Sequence, residues 1–193
     1  MDSTLREALA RDGATFGELS GRPEHFGDPP EELRLALDRC ALADRSDSGR
    51  VVATGPDLLG LLHRLSTGDV ASLEPGDGRP TVLTTAKGRI IQRLFVQHLG
   101  PEGVLLIAGS GRAPAVRAHL EKFVFSEDLG LSEIGESWSH LVVAGPLARA
   151  AVANAGLDVP DEYATSRAEL DGDTVFVLGH DGLSKSGVSM VVP

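Results

Sequence analysis

The chain has 193 residues, 41% of them hydrophobic and 4% aromatic, with 18 basic against 28 acidic residues and a formal net charge of −10. That length suits one domain, or one with an appended piece, and its aliphatic content excludes a wholly disordered chain. The acidic balance argues against general nucleic-acid binding, which needs a basic face, and no apolar run approaches the ~20 residues that span a bilayer.

In chain order, MDSTLREALARDG lacks the basic-then-apolar order of a secretory leader. Residues 1–30 read as a lead-in, because Asp12-Gly13, Gly21-Arg22-Pro23 and Gly27-Asp28-Pro29-Pro30 are breakers set too closely for long elements. Pro30 with Glu31 and Glu32 predicts a helix to about Cys40, its acids at the positive end. Cys40 is the only cysteine, so no internal disulfide or cysteine metal cluster can form, and a reducing, cytoplasmic setting is expected. A strand at Arg50–Ala53 precedes the clearest helix, where Pro56 and Asp57 start a run with Leu58, Leu61, Leu62 and Leu65 at helical spacing. Three strands follow at Thr81–Thr85, Ile90–His98 and Val104–Ala108, broken at Lys87-Gly88 and Gly100-Pro101-Glu102-Gly103. Such close spacing predicts antiparallel pairing. Ala113, Val116, Leu120 and Phe123 mark a further amphipathic helix.

The pattern then partly recurs. Leu141–Ala144 is a strand, Gly145-Pro146 opens a helix to about Ala155, and Thr174–Leu178 and Val188–Val192 are strands. The junctions ATGPDLLGLL and VAGPLARAAV resemble each other, which predicts a duplicated α+β unit. The expected division is a lead-in with a helix over 1–40, a ferredoxin-like β-α-β-β-α-β subdomain over 41–139, and a truncated second subdomain over 140–193. An uncovered edge or apolar face on the last strand predicts a homodimer or a complementary second-half chain.

Four segments carry a family resemblance: GRVVATGPDLLGLLHRLSTGDV at 49–70, PTVLTTAKGRIIQRLFV at 80–96, KFVFSEDLGLSEI at 122–134 and HLVVAGPLARAAVANAG at 140–156, with SGVSMVVP at the end. In order and spacing they resemble the N-terminal half of the folate-binding aminomethyltransferase-like family. That family includes the T-protein of the glycine cleavage system and the YgfZ-type proteins of iron–sulfur maintenance. The resemblance implies an α+β fold with tetrahydrofolate, or a derivative, bound at its centre.

Catalytic T-proteins carry an aspartate where Gln92 and Arg93 stand here. Gln92 can donate or accept a hydrogen bond but cannot take up a proton at neutral pH. The family's tyrosine, asparagine and pterin-facing glutamate align with Pro80, Ala108 and Ser189. The resemblance therefore implies a folate-binding protein of YgfZ type, non-catalytic or weakly active, in iron–sulfur protein assembly or maintenance. The alternatives are a tetrahydrofolate-dependent aminomethyltransferase, and an interaction module that has lost its ligand.

The expected ligand-facing residues are Lys87, Arg89, Gln92, Arg93, Arg112 and Ser189, with no catalytic residue among them. Lys87, Gly88 and Arg89 form a cationic turn suited to the glutamate tail of a folate, or else a plain solvated hairpin tip. Arg112 stands at a helix start, placed to meet an anion or to pair with Glu121 on the surface. Gln92 either points into a cavity or lies exposed on its strand. No two histidines share i, i+4 spacing beside an acid, so no metal site is expected, and Trp138 reads as a packing anchor.

Overall fold

In the computed structural model the described residues are 3–18, 21–135, 137–180 and 186–193. The elements run α1 (Ser3–Arg11), β1 (Thr15–Phe16), β2 (Pro23–His25), α2 (Pro29–Asp38), β3 (Ala41–Asp44), β4 (Ser48–Thr54), α3 (Leu58–Leu65), β5 (Gly78–Thr84) and β6 (Ile90–His98). A 3₁₀ turn at Gly100–Glu102 leads to β7 (Val104–Ser110), α4 (Ala113–Glu121), β8 (Gly130–Glu133), β9 (Ser139–Ala144), α5 (Ala148–Asn154), β10 (Thr165–Leu170), β11 (Asp173–Leu178) and β12 (Val188–Val192).

The strands form a small β1–β2 ribbon and two five-stranded sheets, ordered β5-β6-β7-β4-β8 and β10-β11-β12-β9-β3. Every neighbouring pair is antiparallel. The two orders match place for place. β4 and β9 each lead through a Gly-Pro junction into a helix, and β8 and β3 occupy equivalent edges. β8 follows its unit in the chain, whereas β3 precedes both units and is hydrogen-bonded to β9 in the second sheet. The second unit is thus completed by residues upstream of the first.

The duplication extends to the junction glycines. Gly55 has φ +107°, and a Cβ there would meet the backbone of residues 128–129, just before β8. Gly145 has φ +123°, and a Cβ there would lie 2.6 Å from the carbonyl oxygens of Ala36 and Arg39, just before β3. Only glycine tolerates both the backbone angle and the close approach.

Three apolar layers hold the sheets. Leu58, Leu62, Val116 and Leu120 from α3 and α4 bury the outer face of the first sheet with Val51, Leu83, Leu94 and Leu106. Ala148 and Val152 from α5 cover the second with Val143, Val175, Val177 and Val188. Between the sheets, Leu105, Ile107 and Phe95 meet Phe176, Leu178 and Val191, with Trp138 stacked on Phe176 at 6.0 Å between ring centres.

Four expectations need correction. The lead-in holds a nine-residue helix, α1, because its first breaker comes only at Asp12-Gly13, where Gly13 takes φ +90°. β3, β8 and β10 are edge strands with few buried residues, so their apolar alternation is weak and periodicity missed them. Ala41–Asp44 belongs to the second sheet, not to the unit that follows it in the chain. The last strand has no free edge, because β12 lies between β11 and β9 with Val188 and Val191 fully buried. No described helix is long and apolar enough to cross a membrane.

Candidate functional site

At one end of the layer between the sheets the apolar packing gives way to a cleft of about 210 Å³. Its walls come from both units: Gln92, Arg93 and Phe95 of β6, Ile107 and Ala108 of β7, and Ser48 of β4 on one side, with His140 of β9, Ser189 of β12 and His180 on the other. Arg45 completes the rim. The register between β5 and β6 slips between Leu83–Gln92 and Thr84–Ile90, leaving Ile91 as an extra residue. Bulges of this kind re-aim side chains beside functional sites, and here the bulge immediately precedes Gln92.

Gln92 is held from two sides. Its Oε1 accepts from Arg112 Nε at 3.1 Å and its Nε2 donates to the carbonyl of Arg93 at 3.1 Å. Arg112 is therefore tied to the rim through Gln92, while Glu121, its alternative surface partner, pairs with Arg117 at 2.7 Å. The Arg93 guanidinium lies 4.8 Å from the centre of the Phe95 ring, whose neighbour is the His180 imidazole at 4.1 Å. A cation, a phenyl ring and an imidazole thus form one stack along the cleft.

Beneath the stack, fully buried Gln97 accepts from Thr165 Oγ1 at 2.9 Å and contacts His180 Nε2 at 2.8 Å. With Oε1 taken by Thr165, the Gln97 amide N–H donates to His180. Across the cleft, His140 Nδ1 lies 2.7 Å from Ser48 Oγ, a bond that joins the two sheets. His140 is 5% exposed and its pKa falls to about 3, chiefly because burial disfavours the charged ring, with Arg50, His180 and Arg45 adding repulsion. It is a neutral imidazole at neutral pH. Among the described residues, two buried side-chain atoms on this wall, His140 Nε2 and Ser189 Oγ, have no hydrogen-bond partner, and Ser189 is 1% exposed. Fully buried Arg50 braces the site, donating to the carbonyls of Ser46 (2.8 Å), Gly135 (2.6 Å) and Trp138 (2.5 Å).

Of the residues expected from sequence, Gln92, Arg93 and Ser189 line one cleft, and Arg112 touches it through Gln92. Lys87 and Arg89 do not line it. They stand exposed in a turn closed by Gly88 N–H to the Thr85 carbonyl at 2.8 Å, with Gly88 at φ +71°. Ser48, His140 and His180 also line the cleft and lie outside the residues expected from sequence. The available signal was a histidine opening the apolar strand HLVVA, and its serine partner lies 92 residues away. Among the described residues no group of three or more His, Cys, Asp or Glu side chains is arranged to hold a metal. Among the described residues, every group lining the cleft is neutral or cationic, with no carboxylate.

A model of the GCVT N-terminal domain matches residues 5–168. The aminomethyltransferase of Geobacillus kaustophilus is 30% identical over 75% of this chain and 40% of its own length. That of Streptomyces avermitilis is 28% identical over 74% of this chain and 39% of its own length. The chain therefore spans about two fifths of the length of these curated relatives. Among solved structures, the glycine cleavage system aminomethyltransferase T from Bartonella henselae superposes with a TM-score of 0.83 at 25% identity, over 98% of this chain and 52% of that one. A chain of the heterotetrameric sarcosine oxidase from Corynebacterium sp. U-96 shares the fold at a TM-score of 0.54 and 16% identity, over 79% of this chain and 74% of that one. The match over residues 5–168 places the chain in the family of the aminomethyltransferase (GCVT) N-terminal domain.

Proposed function

We propose that this chain binds tetrahydrofolate or a close derivative, with the ring system in the cleft between its sheets, and contributes no acid of its own to carbon transfer. The observation that carries the reading is the convergence of Gln92, Arg93, Ala108 and Ser189, from three strands, on one cleft. These are the positions at which the resembling family bears its polar folate-facing groups. The cleft suits such a group: it offers an aromatic and cationic stack and two buried polar atoms in want of partners. At about 210 Å³ it is smaller than the roughly 300–1,000 Å³ of pockets for whole drug-sized ligands, so one ring system fits and the anionic tail stays outside. Lys87 and Arg89 are exposed cations available to that tail. Bound folate would bring the one-carbon acceptor; this chain supplies enclosure and hydrogen bonds.

Transfer is a separate matter. A positioned acid or base contributes roughly a hundred- to ten-thousandfold in rate, and Gln92 cannot fill that role. The relatives carry the aminomethyltransferase name, which favours a second reading in which a carboxylate from outside this chain reaches the cleft and completes the enzyme. The iron–sulfur role implied by the YgfZ branch rests only on the missing acid, and these relatives lend it no support. A homodimer or complementary chain, for which the paired β12 edge gives no ground and the heterotetrameric neighbour the remaining hint, and a cytoplasmic setting complete the proposal; light scattering at micromolar concentration tests the assembly. For the central reading, calorimetric titration should show tetrahydrofolate binding. Incubation with tetrahydrofolate and an aminomethyl-loaded carrier protein should yield little methylene-tetrahydrofolate above the protein-free control. Turnover rising in Gln92→Asp supports the missing-acid account, and full turnover by the unaltered chain overturns it.

A further inference from the structure

His140 and Ser189 lie on one face of the second sheet. Val191 pairs with His140 and Ser189 with Val142, so the two residues are diagonal neighbours across β9 and β12. Both are more than nine-tenths buried, both line the cleft, and each keeps a polar atom without a partner among the described residues, His140 Nε2 and Ser189 Oγ. A buried polar atom left unmade costs about 1–3 kcal/mol, so two on one wall mark a place where something else completes the bonding.

The ring's proton can be located. Ser48 is 5% exposed, and His140 Nδ1 is the one partner of its hydroxyl among the described residues. If Nδ1 carried the proton and donated to Ser48 Oγ, the buried serine O–H would have nothing to donate to, and His140 Nε2 would be an orphaned acceptor. If Ser48 O–H donates to Nδ1, the hydroxyl is satisfied and only the Nε2–H remains open. The second arrangement leaves one orphan fewer.

We propose that His140 is a ligand-contacting residue whose Nε2–H, beside the Ser189 hydroxyl, binds the ring carbonyl oxygen of the bound molecule, with Ser48 positioning the ring. This rests on the reading that the cleft binds a folate, and it changes the chemistry expected there. With serine in place of the family's glutamate, the second sheet offers donors, so it grips the acceptor-bearing edge of a ligand. With the tail outside the cleft, the ring carbonyl of a folate is such a group.

Long-range ¹H–¹⁵N spectra of the histidine rings in the full chain at pH 7 test this, with His140 assigned by comparison with His140→Gln. The expected result is a neutral His140 protonated at Nε2, whose resonance shifts when tetrahydrofolate is added. 6-Methyltetrahydropterin, which lacks the tail, should reproduce the His140 shift, and p-aminobenzoylglutamate, which lacks the pterin, should not; a shift with the second alone overturns the assignment. His140→Phe, which keeps the ring and loses the N–H, should weaken tetrahydrofolate binding up to about tenfold, the worth of one hydrogen bond. The spectra of the unaltered protein decide the matter if that variant fails to fold. An Nδ1–H tautomer, or tetrahydrofolate bound by calorimetry with His140 undisturbed, overturns the inference and spares the folate reading. Absence of tetrahydrofolate binding to the unaltered chain overturns both.

Discussion

The two sheets have the same strand order but are not equally covered. In the first unit, the helix before the edge strand is α4, which buries Ala113, Val116 and Leu120 against the sheet. In the second, the helix at that place is α2, which buries none of its residues and leaves Leu33 and Leu37 more than 60% exposed. A shared topology therefore does not imply a shared distribution of stability. The first unit is a filled helix-on-sheet core, while the second depends on α5 and on the layer it shares with its partner. The cleft forms where that shared layer ends, so its polar groups rest on one well-packed wall and one lightly covered wall.

The comparison breaks most readily in the first core. Leu120→Ala, at a fully buried site, should destabilise the chain by about 2–5 kcal/mol through lost burial and a cavity, seen as a lower urea midpoint at constant slope. A loss within experimental error would mean that α4 is no better packed than α2. The shared layer has a pH signature. His140 titrates near 3 when folded and near 6.5 when unfolded, so between these values the unfolded chain holds the extra proton and stability rises with pH. That contribution is full above pH 6.5 and falls by up to about 1.4 kcal/mol per unit as pH drops toward 3. His140→Gln should flatten the dependence in urea titrations from pH 7 to 4; an unchanged slope would place the titrating group elsewhere.

The two glycine junctions sharpen the comparison. Alanine at Gly55 or Gly145 must adopt a positive φ and displace backbone, at a cost on the order of 1–3 kcal/mol each. Gly55→Ala should be the worse in thermal melts, because its closest backbone contact is tighter. The reverse order would show that the β3 edge resists movement more than the β8 edge. The smallest effect belongs to α2, where Leu37→Ser should stay within about 0.5 kcal/mol of the unaltered chain.

Much of this architecture is legible in the residues. Leu58, Leu61, Leu62 and Leu65 announce α3, and the paired Gly-Pro junctions announce the duplication, because helical spacing and positive-φ glycines are local facts. β3, β8 and β10 escape, since edge strands bury too little to alternate strongly. That β3 crosses to the second sheet escapes too, because pairing partners nearly a hundred residues apart leave no local trace. The site divides the same way. Gln92, Arg93 and Ser189 were reached by resemblance, whereas the Ser48–His140 bond exists only once the two sheets face each other. The cationic turn at Lys87 and Arg89 stands exposed outside the cleft.

The central claim is that the cleft between the sheets, and no other hollow, takes the folate. A larger hollow of about 620 Å³ lies between the lead-in and β3, lined by residues including Phe26, Leu35 and Leu42. Backbone ¹H–¹⁵N spectra recorded during titration with tetrahydrofolate distinguish the two. The account predicts progressive shifts at Gln92, Arg93, Ala108, His140 and Ser189, with Phe26 and Leu42 unmoved. Shifts centred on Phe26 and Leu42, or saturation of the protein with the cleft residues silent, would contradict it.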